Sequence, residues 1–320
     1  MKAILLAAGM GKRLEPITNL IPKPMIKVAG KPILEYILED LLDCGFDDFC
    51  IVVGHESKQI IEYFENWNKN AKITFVMQEK LTGTATAVYC AKDFVGKDPF
   101  LLYLSDTLIP IDLKSILSEV LMEENAVSIL SSKVFFNDST SVGNIVIEDN
   151  YVTQISEKSA NLKSNLAWAG LAFFKDASIF QNIENLSPSE RGEYDITEVM
   201  NLFLNQNKKI KNYLCEKFID CGTPNGLLEG VKFILECKYH KKNNYSIKII
   251  EPCYIGKNCS FGDDVTLGPF VSIGDNVTIS NHVKLEKSLI FDYTNIQSNK
   301  VITSSIISNK FHLSLDNNVL

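Results

Sequence analysis

Several features that would point to other classes of protein are absent from this sequence. No apolar run is long enough to span a bilayer, and the opening MKAILLAAG is too short for a secretory signal. The eight cysteines form no C-x-x-C pair and the four histidines are dispersed, so a zinc site has little support. We therefore expect a cytoplasmic protein whose reduced thiols serve mainly in packing.

An overall positive charge is also absent, because the formal net charge is −7. This argues against nucleic acid or an anionic membrane as the main partner. Residues 1–31 are different, since they contain six basic residues and one acidic residue, Glu15. Such a basic island suits a small polyanion, and a solvated basic face is the alternative.

With 320 residues, 46% of them hydrophobic, the chain can bury a sizeable core, and its length suggests two domains. In the first half of the chain, short apolar runs alternate with stretches of helical periodicity, which predicts a Rossmann-like, doubly wound, mostly parallel α/β sheet for the domain of residues 1–242. Residues 126–174 are strand-rich, with an Asp-Asn turn at 149–150. Ligands of such sheets lie beyond the carboxyl ends of the strands, where the glycine-rich turn after residue 7 and Ser105-Asp106 are expected. The predicted buried strands are 2–7, 49–53, 73–76 and 100–104.

Residues 243–320 have a different pattern, in which two apolar series recur at a spacing of six. This is a hexapeptide repeat and predicts a short left-handed β-helix, followed by a tail. The regular spacing fades after about residue 291, so we expect the last coil to be covered in a homo-oligomer. The series are Ile255, Phe261, Leu267, Ile273, Ile279, Leu285 and Phe291, and Cys253, Cys259, Val265, Val271, Val277, Val283 and Leu289.

A glycine-rich segment, LLAAGMGKRLEPITNLIPKP, runs from Leu5 to Pro24. Two glycines two residues apart, directly after a strand, let the backbone approach a phosphate closely. Arg13 and Lys23 add positive charge. The segment fits neither a Walker A loop nor a dinucleotide fingerprint, whose third glycine is replaced by Leu14. Phosphate binding is favoured over a purely structural turn.

The pattern L-x-x-G-x-G-x-R-L-x-P-x-T, followed by P-K-P, resembles the signature of the sugar-phosphate nucleotidylyltransferases. Further landmarks extend the resemblance to about residue 235, and the hexapeptide repeat also occurs in this superfamily. The resemblance implies an enzyme that joins a sugar 1-phosphate to a nucleoside triphosphate, with Mg²⁺, and releases pyrophosphate.

The resemblance also implies which residues form the nucleotide site. Gln78 and the stretch around Gly83 would read a pyrimidine base, and the glycine-rich segment would hold the phosphates. The nucleotide-binding residues are expected to be Leu6, Ala8, Gly9, Gly11, Lys12, Arg13, Gln78, Gly83 and Thr84.

Sugar-phosphate and metal sites follow from the same resemblance. Asp106 and Asp220, the latter in D-C-G-T-P, would bind Mg²⁺. The chain departs from the family pattern at three positions: Ser105 replaces a glycine, Ser159 a proline, and Trp168 a residue that is commonly smaller. The sugar-phosphate-binding residues are expected to be Asp106, Gly143, Glu157, Lys158 and Asn165.

The implied chemistry needs no general base, because a sugar 1-phosphate oxygen is already anionic at neutral pH. We expect in-line attack on the α-phosphorus, with Arg13 steadying the leaving pyrophosphate. Lys23 and Lys158 would neutralise the incoming phosphate.

The sequence leaves open the choice of substrates and two alternative functions. The triphosphate is expected to be UTP or dTTP without a choice between them, and glucose 1-phosphate is the favoured sugar phosphate. An N-acetylglucosamine-1-phosphate uridylyltransferase with a second, acetyl-transferring site is an alternative, although His282 is the only histidine in the regular repeat. An inert regulatory or assembly subunit is another, although such a subunit would be expected to lose Arg13, Lys23 or one aspartate. On the sequence alone, a chain ending near Lys242 should retain activity.

Overall fold

The computed structural model describes residues 1–54, 57–122, 124–133, 143–157, 164–175, 177–189, 191–239 and 246–315. Contacts divide the chain into two compact units. The first unit consists of Met1–Met10 and Ile37–Phe218, and the second of Gly11–Tyr36 and Ile219–Leu320. Residues 11–36, which include most of the basic island, thus group with the C-terminal region. The domain boundary that the sequence places at residue 242 stays a prediction.

Strands and helices alternate over the first two thirds of the chain, and short strands follow. The helices are α1 (Ile33–Asp43), α2 (Ser57–Glu65), α3 (Thr84–Cys90), α4 (Lys92–Val95), α5 (Leu113–Met122), α6 (Ser178–Glu184), α7 (Ile196–Asn205) and α8 (Pro224–Cys237). The strands are β1 (Lys2–Ala7), β2 (Lys27–Val28), β3 (Lys31–Pro32), β4 (Asp48–Val53), β5 (Lys72–Met77), β6 (Phe100–Leu104), β7 (Thr107–Leu108), β8 (Val127–Lys133), β9 (Gly143–Glu148), β10 (Tyr151–Glu157), β11 (Leu166–Phe174), β12 (Ile210–Leu214), β13 (Ile219–Asp220), β14 (Lys248–Ile249), β15 (Cys253–Ile255), β16 (Ser260–Phe261), β17 (Thr266–Leu267), β18 (Val271–Ile273), β19 (Thr278–Ile279), β20 (Lys284–Glu286), β21 (Ser288–Ile290), β22 (Asn295–Ile296), β23 (Val301–Thr303), β24 (Ser305–Ser308) and β25 (Phe311–Ser314).

The first unit is built on one nine-stranded sheet in the order β5-β4-β1-β6-β11-β8-β12-β10-β9. Strands β5, β4, β1 and β6 are parallel and coincide with the four predicted strands, so the α/β core is confirmed. The central strands β4, β1 and β6 are mostly apolar because parallel strands covered by helices are buried on both faces, whereas β5, at the edge of the sheet, is only partly buried. None of the described helices combines the length and apolar character needed to cross a membrane.

The other half of the sheet does not follow the prediction of a mostly parallel arrangement. Strand β11 is antiparallel to β6, β8 and β9, and β10 is antiparallel to β9 and β12. Asp149 and Asn150 join β9 to β10 with φ of 47° and 66°. Two positive φ values suit a tight hairpin, which needs no crossover helix. The sheet is therefore mixed.

In the second unit, residues 248–314 form what we call the repeat domain. Its strands β14 to β24 fall into three parallel sheets that the chain visits in turn. Cys253 pairs with Val271, 18 residues later, and Ser260 pairs with Thr278 in the same way. Aliphatic side chains from all three sheets form a single interior cluster. The left-handed sense of winding stays a prediction.

The repeat domain continues beyond residue 291, where the sequence pattern fades. Later pairings span 17 residues, so Leu289 pairs with Ser272 rather than with Val271. Because this coil is one residue shorter, the apolar residues that follow no longer keep the six-residue phase. The sequence pattern therefore does not reveal the last coil. Strand β25 then turns back and pairs antiparallel with β24. The chain itself covers this strand edge, which we had expected a neighbouring subunit to cover.

Candidate active site

The glycine-rich turn begins in the first unit, directly after β1. Ala8 is buried, and a Cβ placed on Gly9 would meet nothing within 4 Å. Gly54 lacks a side chain where a Cβ would lie closer than 3.0 Å to the Ala8 carbonyl oxygen. A supported backbone with open space at Gly9 is suited to the close approach of a phosphate.

Ser105 replaces the family's glycine without projecting into open space. It is 4% exposed, and its hydroxyl donates to the Leu6 carbonyl oxygen at 2.6 Å. The side chain therefore joins the end of β6 to β1. Asp106 follows at the end of the strand, half-buried, and its carboxylate accepts a hydrogen bond from the Thr107 hydroxyl at 3.4 Å.

In the second unit, three charged residues that are distant in sequence meet around Gly222. Arg13 Nη1 lies 3.0 Å from Asp220 Oδ2, and the Gly222 N–H donates to Asp220 Oδ1 at 2.8 Å. A Cβ on Gly222 would lie closer than 3.0 Å to Lys23 Nζ, Asp220 Oδ1 and Arg13 Nη2. Only glycine leaves room for this arrangement. We call Arg13, Lys23 and Asp220 the charged cluster.

The loop that carries Arg13 and Lys23 is held by local turns. Gly11 has a φ of +66°, and a Cβ there would lie 2.7 Å from Thr18 Cγ2. The Thr18 hydroxyl donates to the Gly11 carbonyl at 3.1 Å. Three short 3₁₀ turns follow one another at Lys12–Leu14, Ile17–Asn19 and Lys23–Met25. Gly11 thus has a structural role as well as the expected nucleotide-binding one.

The charged cluster is half open to solvent and has an excess of positive charge. Exposure is 48% for the Arg13 side chain and 24% for that of Asp220. A guanidinium carries five N–H donors, so one contact with Asp220 leaves donors for a further anion. Lys12, next to Arg13, is exposed. These groups can bind a phosphate or pyrophosphate.

The predicted base-reading stretch is ordered by internal hydrogen bonds in the first unit. An isolated glutamine in a loop is usually solvated, but Gln78 is only 5% exposed. Its Nε2 donates to the Gly83 carbonyl and to the Thr86 hydroxyl, both at 3.0 Å. Both amide hydrogens are thereby engaged, and the Oε1 atom retains acceptor capacity. The Thr84 hydroxyl accepts from the Ile196 N–H at 2.9 Å, so it also has a structural contact.

Sequence reasoning missed the partners of this stretch, Thr86 and Tyr194. Gly83 has a φ of +135°, and a Cβ there would collide with the Tyr194 backbone. The Tyr194 N–H donates to the Thr82 carbonyl at 2.8 Å, and its carbonyl accepts from the Ala85 N–H at 2.9 Å. Backbone contacts carry no side-chain signature, whereas the hydroxyl of Thr86, four residues after Thr82, offered a weak signal.

The structure brings together two of the predicted sugar-binding residues. Gly143, buried at the start of β9, pairs with Glu157 at the end of β10. The side chain of Glu157 and all of Lys158 lie outside the described residues. Asn165 is exposed just before β11. Trp168 is 7% exposed, and its indole N–H donates to the Leu171 carbonyl at 2.8 Å, so this ring contributes to the core.

Three buried cysteines are poorly suited to nucleophilic chemistry. All eight are thiols. Burial raises the pKa of Cys50 to about 12 and those of Cys215 and Cys253 to about 11. A thiol with such a pKa stays protonated at neutral pH and is a poor nucleophile. The described residues contain no group of three or more His, Cys, Asp or Glu side chains that could hold a metal.

Family comparison agrees with this fold. The sequence profile of the nucleotidyl transferase family matches residues 2–237, and that of the GMPPB C-terminal domain matches residues 249–318. The chain belongs to the nucleotidyl transferase family.

Individual relatives are sugar-nucleotide enzymes and glycan-synthesis proteins. The low-salt glycan biosynthesis nucleotidyltransferase Agl11 of Haloferax volcanii is 34% identical over 76% of this chain and 68% of its own length. The UTP–glucose-1-phosphate uridylyltransferase AglF of the same organism is 32% identical over 70% of this chain and 92% of its own. A UDP-glucose pyrophosphorylase solved with UDP-glucose has a TM-score of 0.66 at 26% identity, covering 73% of this chain and 98% of that one.

The bifunctional protein GlmU of Methanocaldococcus jannaschii is also similar, at 37% identity over 74% of this chain. The match covers 55% of that protein. The chain therefore spans little more than half the length of this relative.

Proposed function

We propose that the protein transfers a nucleotidyl group from UTP or dTTP to a hexose 1-phosphate, with glucose 1-phosphate favoured, and releases pyrophosphate. The observation that carries this proposal is the charged cluster around Gly222, which gathers two cations and a carboxylate from distant segments. The names of AglF and of the UDP-glucose pyrophosphorylase support the choice of substrates.

The test is pyrophosphate release from each common triphosphate, paired with glucose 1-phosphate, N-acetylglucosamine 1-phosphate and mannose 1-phosphate. Release with UTP or dTTP and a hexose phosphate supports the proposal. Preference for N-acetylglucosamine 1-phosphate would favour the uridylyltransferase alternative. Absence of release with every pair would leave the inert subunit as the better interpretation.

In the proposed mechanism the residues bring two polyanions together rather than move protons. Lys23 and Lys158 neutralise the sugar phosphate and orient its oxygen toward the α-phosphorus. Arg13 donates hydrogen bonds to the leaving pyrophosphate, on which negative charge develops. Since the nucleophile is already ionised, the absence of a histidine from the proposed residues is consistent with this chemistry.

We propose that Asp106 and Asp220 hold Mg²⁺. The donor set fits this ion, because both ligands are carboxylates and Mg²⁺ prefers one or two of them beside water and substrate phosphate. When bound, the ion would neutralise charge on the α-phosphate. Asp220 is kept in a fixed position by the Gly222 N–H and by Arg13.

Gln78 is proposed to select the base. Its two amide hydrogens are held by Gly83 and Thr86, and the Oε1 atom can accept the N3–H of uracil or thymine. Cytosine has no hydrogen at N3, so it would leave this buried acceptor without a donor. Gly83 and Thr84 are proposed to belong to the same nucleotide-binding stretch, which their contacts with Gln78 and Ile196 hold in place.

Replacement of Gln78 by Met is expected to lower kcat/KM for UTP or dTTP by at least about tenfold, because the base loses its acceptor and the Gly83 carbonyl loses one of its donors. The KM for the sugar phosphate should change little. Initial rates with each triphosphate measure both values, and Gln181→Met, on the exposed face of α6, is the matched control. Unchanged triphosphate kinetics in the Gln78→Met protein would remove this residue from the base site.

We further propose that the repeat domain is a left-handed hexapeptide β-helix that joins copies of the chain into a homo-oligomer in the cytoplasm. Tyr293 and Val301 expose 67% and 76% of their surface on this domain, so each leaves apolar surface available to a contact between copies. Light scattering is expected to give a multiple of the 35.9 kDa chain mass. A mass equal to one chain at micromolar concentration would contradict the assembly.

The structure offers no support for a second active site at His282. Its Nδ1 lies 3.1 Å from Asp264 Oδ2, and both side chains are more than half exposed. This is an outward-facing surface pair of the kind that contributes little to stability. A single activity is therefore the proposal.

A further inference from the structure

The segment that follows Lys23 is a tight hairpin whose tip contacts the repeat domain. Strands β2 and β3 are joined by Ala29 and Gly30, whose φ values of 47° and 84° are both positive, as in a type I′ turn. The Ala29 N–H donates to the Ser272 hydroxyl oxygen at 3.0 Å in a buried contact. A Cβ on Gly30 would lie closer than 3.0 Å to the Tyr254 hydroxyl. The turn is thus fitted to these two side chains.

Tyr254 and Ser272 belong to a face that is expected to be exposed to solvent. They are register partners in the middle of β15 and β18, between residues that point into the repeat interior. Alternate side chains of a strand point to opposite faces, so these two point outward. Ser272 is nevertheless only 2% exposed. We call the outer side of β15, β18, β21 and β24 the covered face.

A second segment, helix α8, packs on the same face. It contacts β21 and β24 of the repeat domain and β2 of the hairpin. Lys232 Nζ lies 5.4 Å from the centre of the Phe270 ring, and the Tyr239 and Tyr254 rings are 5.2 Å apart, edge to face. Burial raises the pKa of Tyr254 to about 12, so its phenol stays neutral and serves as packing.

These two segments lead directly into the charged cluster. Lys23 lies in the short turn that ends two residues before β2, and Ile26 N–H donates to the Lys23 carbonyl at 3.2 Å. Asp220 and Gly222 precede α8, whose first turn is capped by the Thr223 hydroxyl. The two segments that carry the charged cluster, the loop before the hairpin and the residues before α8, are therefore each followed by an element that packs on the covered face.

An ion pair marks the edge of this contact. Lys27 Nζ lies 2.8 Å from Asp292 Oδ2. The other oxygen, Asp292 Oδ1, accepts from the Asp275 N–H at 2.9 Å, which fixes the carboxylate to the neighbouring coil. The hairpin is thus joined to the repeat domain by a buried hydrogen bond, an aromatic contact and an ion pair.

We propose that the covered face positions the loop of residues 11–26 for nucleotidyl transfer, with Ser272, Tyr254 and Asp292 as positioning residues. The proposal rests on the proposed function in so far as Arg13 and Lys23 act on the phosphates. Transition-state contacts are sensitive to small displacements, so loosening the hairpin should lower turnover more than substrate binding. Removal of residues 243–320 would uncover the hairpin and α8, and we now expect it to abolish activity rather than preserve it.

A charge-reversal series in the full chain tests the ion pair. Lys27→Glu places two carboxylates together and is expected to lower kcat about fivefold, with KM values within about twofold of wild type. Adding Asp292→Asn, whose carbonyl can still accept from the Asp275 N–H, should restore kcat to within about twofold, because the repulsion is removed. Lys284→Glu, at an exposed position of β20 in the same domain, is the matched control and should have no such effect.

The buried hydrogen bond is tested by Ser272→Ala against Ser260→Ala, which alters an exposed strand of another sheet. We expect about a fivefold loss of kcat for Ser272→Ala alone, since the Ala29 N–H is left without an acceptor. Circular dichroism should show that all variants fold. Hydrogen exchange over residues 11–26 should be faster in Lys27→Glu and Ser272→Ala than in their controls.

Equal kinetics and exchange in the variants and their controls would overturn the proposal. So would a double variant that stays as slow as Lys27→Glu. If the wild-type protein releases no pyrophosphate with any substrate pair, the proposed function fails instead. The exchange rates then still decide whether the covered face positions the loop.

Discussion

Asp106→Asn and Asp220→Asn are each expected to lower the turnover of nucleotidyl transfer by at least about a hundredfold, because the transition-state charge loses its counter-ion. An amide is a much weaker ligand for Mg²⁺ than a carboxylate. In the Asp220 variant the geometry should survive, since the amide oxygen can still accept from the Gly222 N–H, as Oδ1 does at 2.8 Å. The loss is therefore expected to be chemical rather than structural.

Steady-state rates measured over a range of Mg²⁺ concentrations check this expectation. Asp263→Asn, an exposed aspartate of the repeat domain, is the control for the change of charge. Thermal unfolding should show that the variants are folded. Near-normal, Mg²⁺-dependent turnover in the Asp220→Asn protein would refute the assignment of this ligand.

Arg13→Ala is expected to lower kcat by about ten- to a hundredfold, with a smaller change in the KM for the sugar phosphate. The proposed partner of Arg13 is the leaving pyrophosphate, whose charge increases as the bond breaks. Arg13→Lys should recover part of the loss, because charge is kept but the forked geometry is not. The pair with Asp220 at 3.0 Å is half exposed, so its removal should cost little stability.

Lys158→Ala, by contrast, should mainly raise the KM for the sugar phosphate, since this lysine is assigned to substrate binding. Steady-state kinetics with both substrates varied separate the two patterns. Lys58→Ala, at an exposed position on α2, controls for the loss of a positive charge. The opposite pattern in the two variants would show that their roles are exchanged.

The sequence by itself determined the elements whose signals are local. Apolar runs marked β1, β4, β5 and β6, and Thr223 followed by Pro224, a capping residue and a first-turn proline, is a local signal for the start of α8. Spacing of six residues marked the strands of the repeat domain up to the point where one residue is missing. Each of these signals arises between residues close in the chain, where periodicity and capping operate.

Tertiary structure decided the contacts between distant segments. The antiparallel placement of β11 beside β6, the fit of Gly83 against Tyr194 and the Ser105 hydroxyl on Leu6 have no local signature, because backbone groups contribute one or both partners. Glycine at residue 222 is readable as a motif, but only packing shows that Lys23, Arg13 and Asp220 surround it. The grouping of residues 11–36 with the repeat domain likewise depends on which surfaces are buried against each other. The alternation of side chains along a strand predicts that it has two faces, but it does not predict which segment packs on each face.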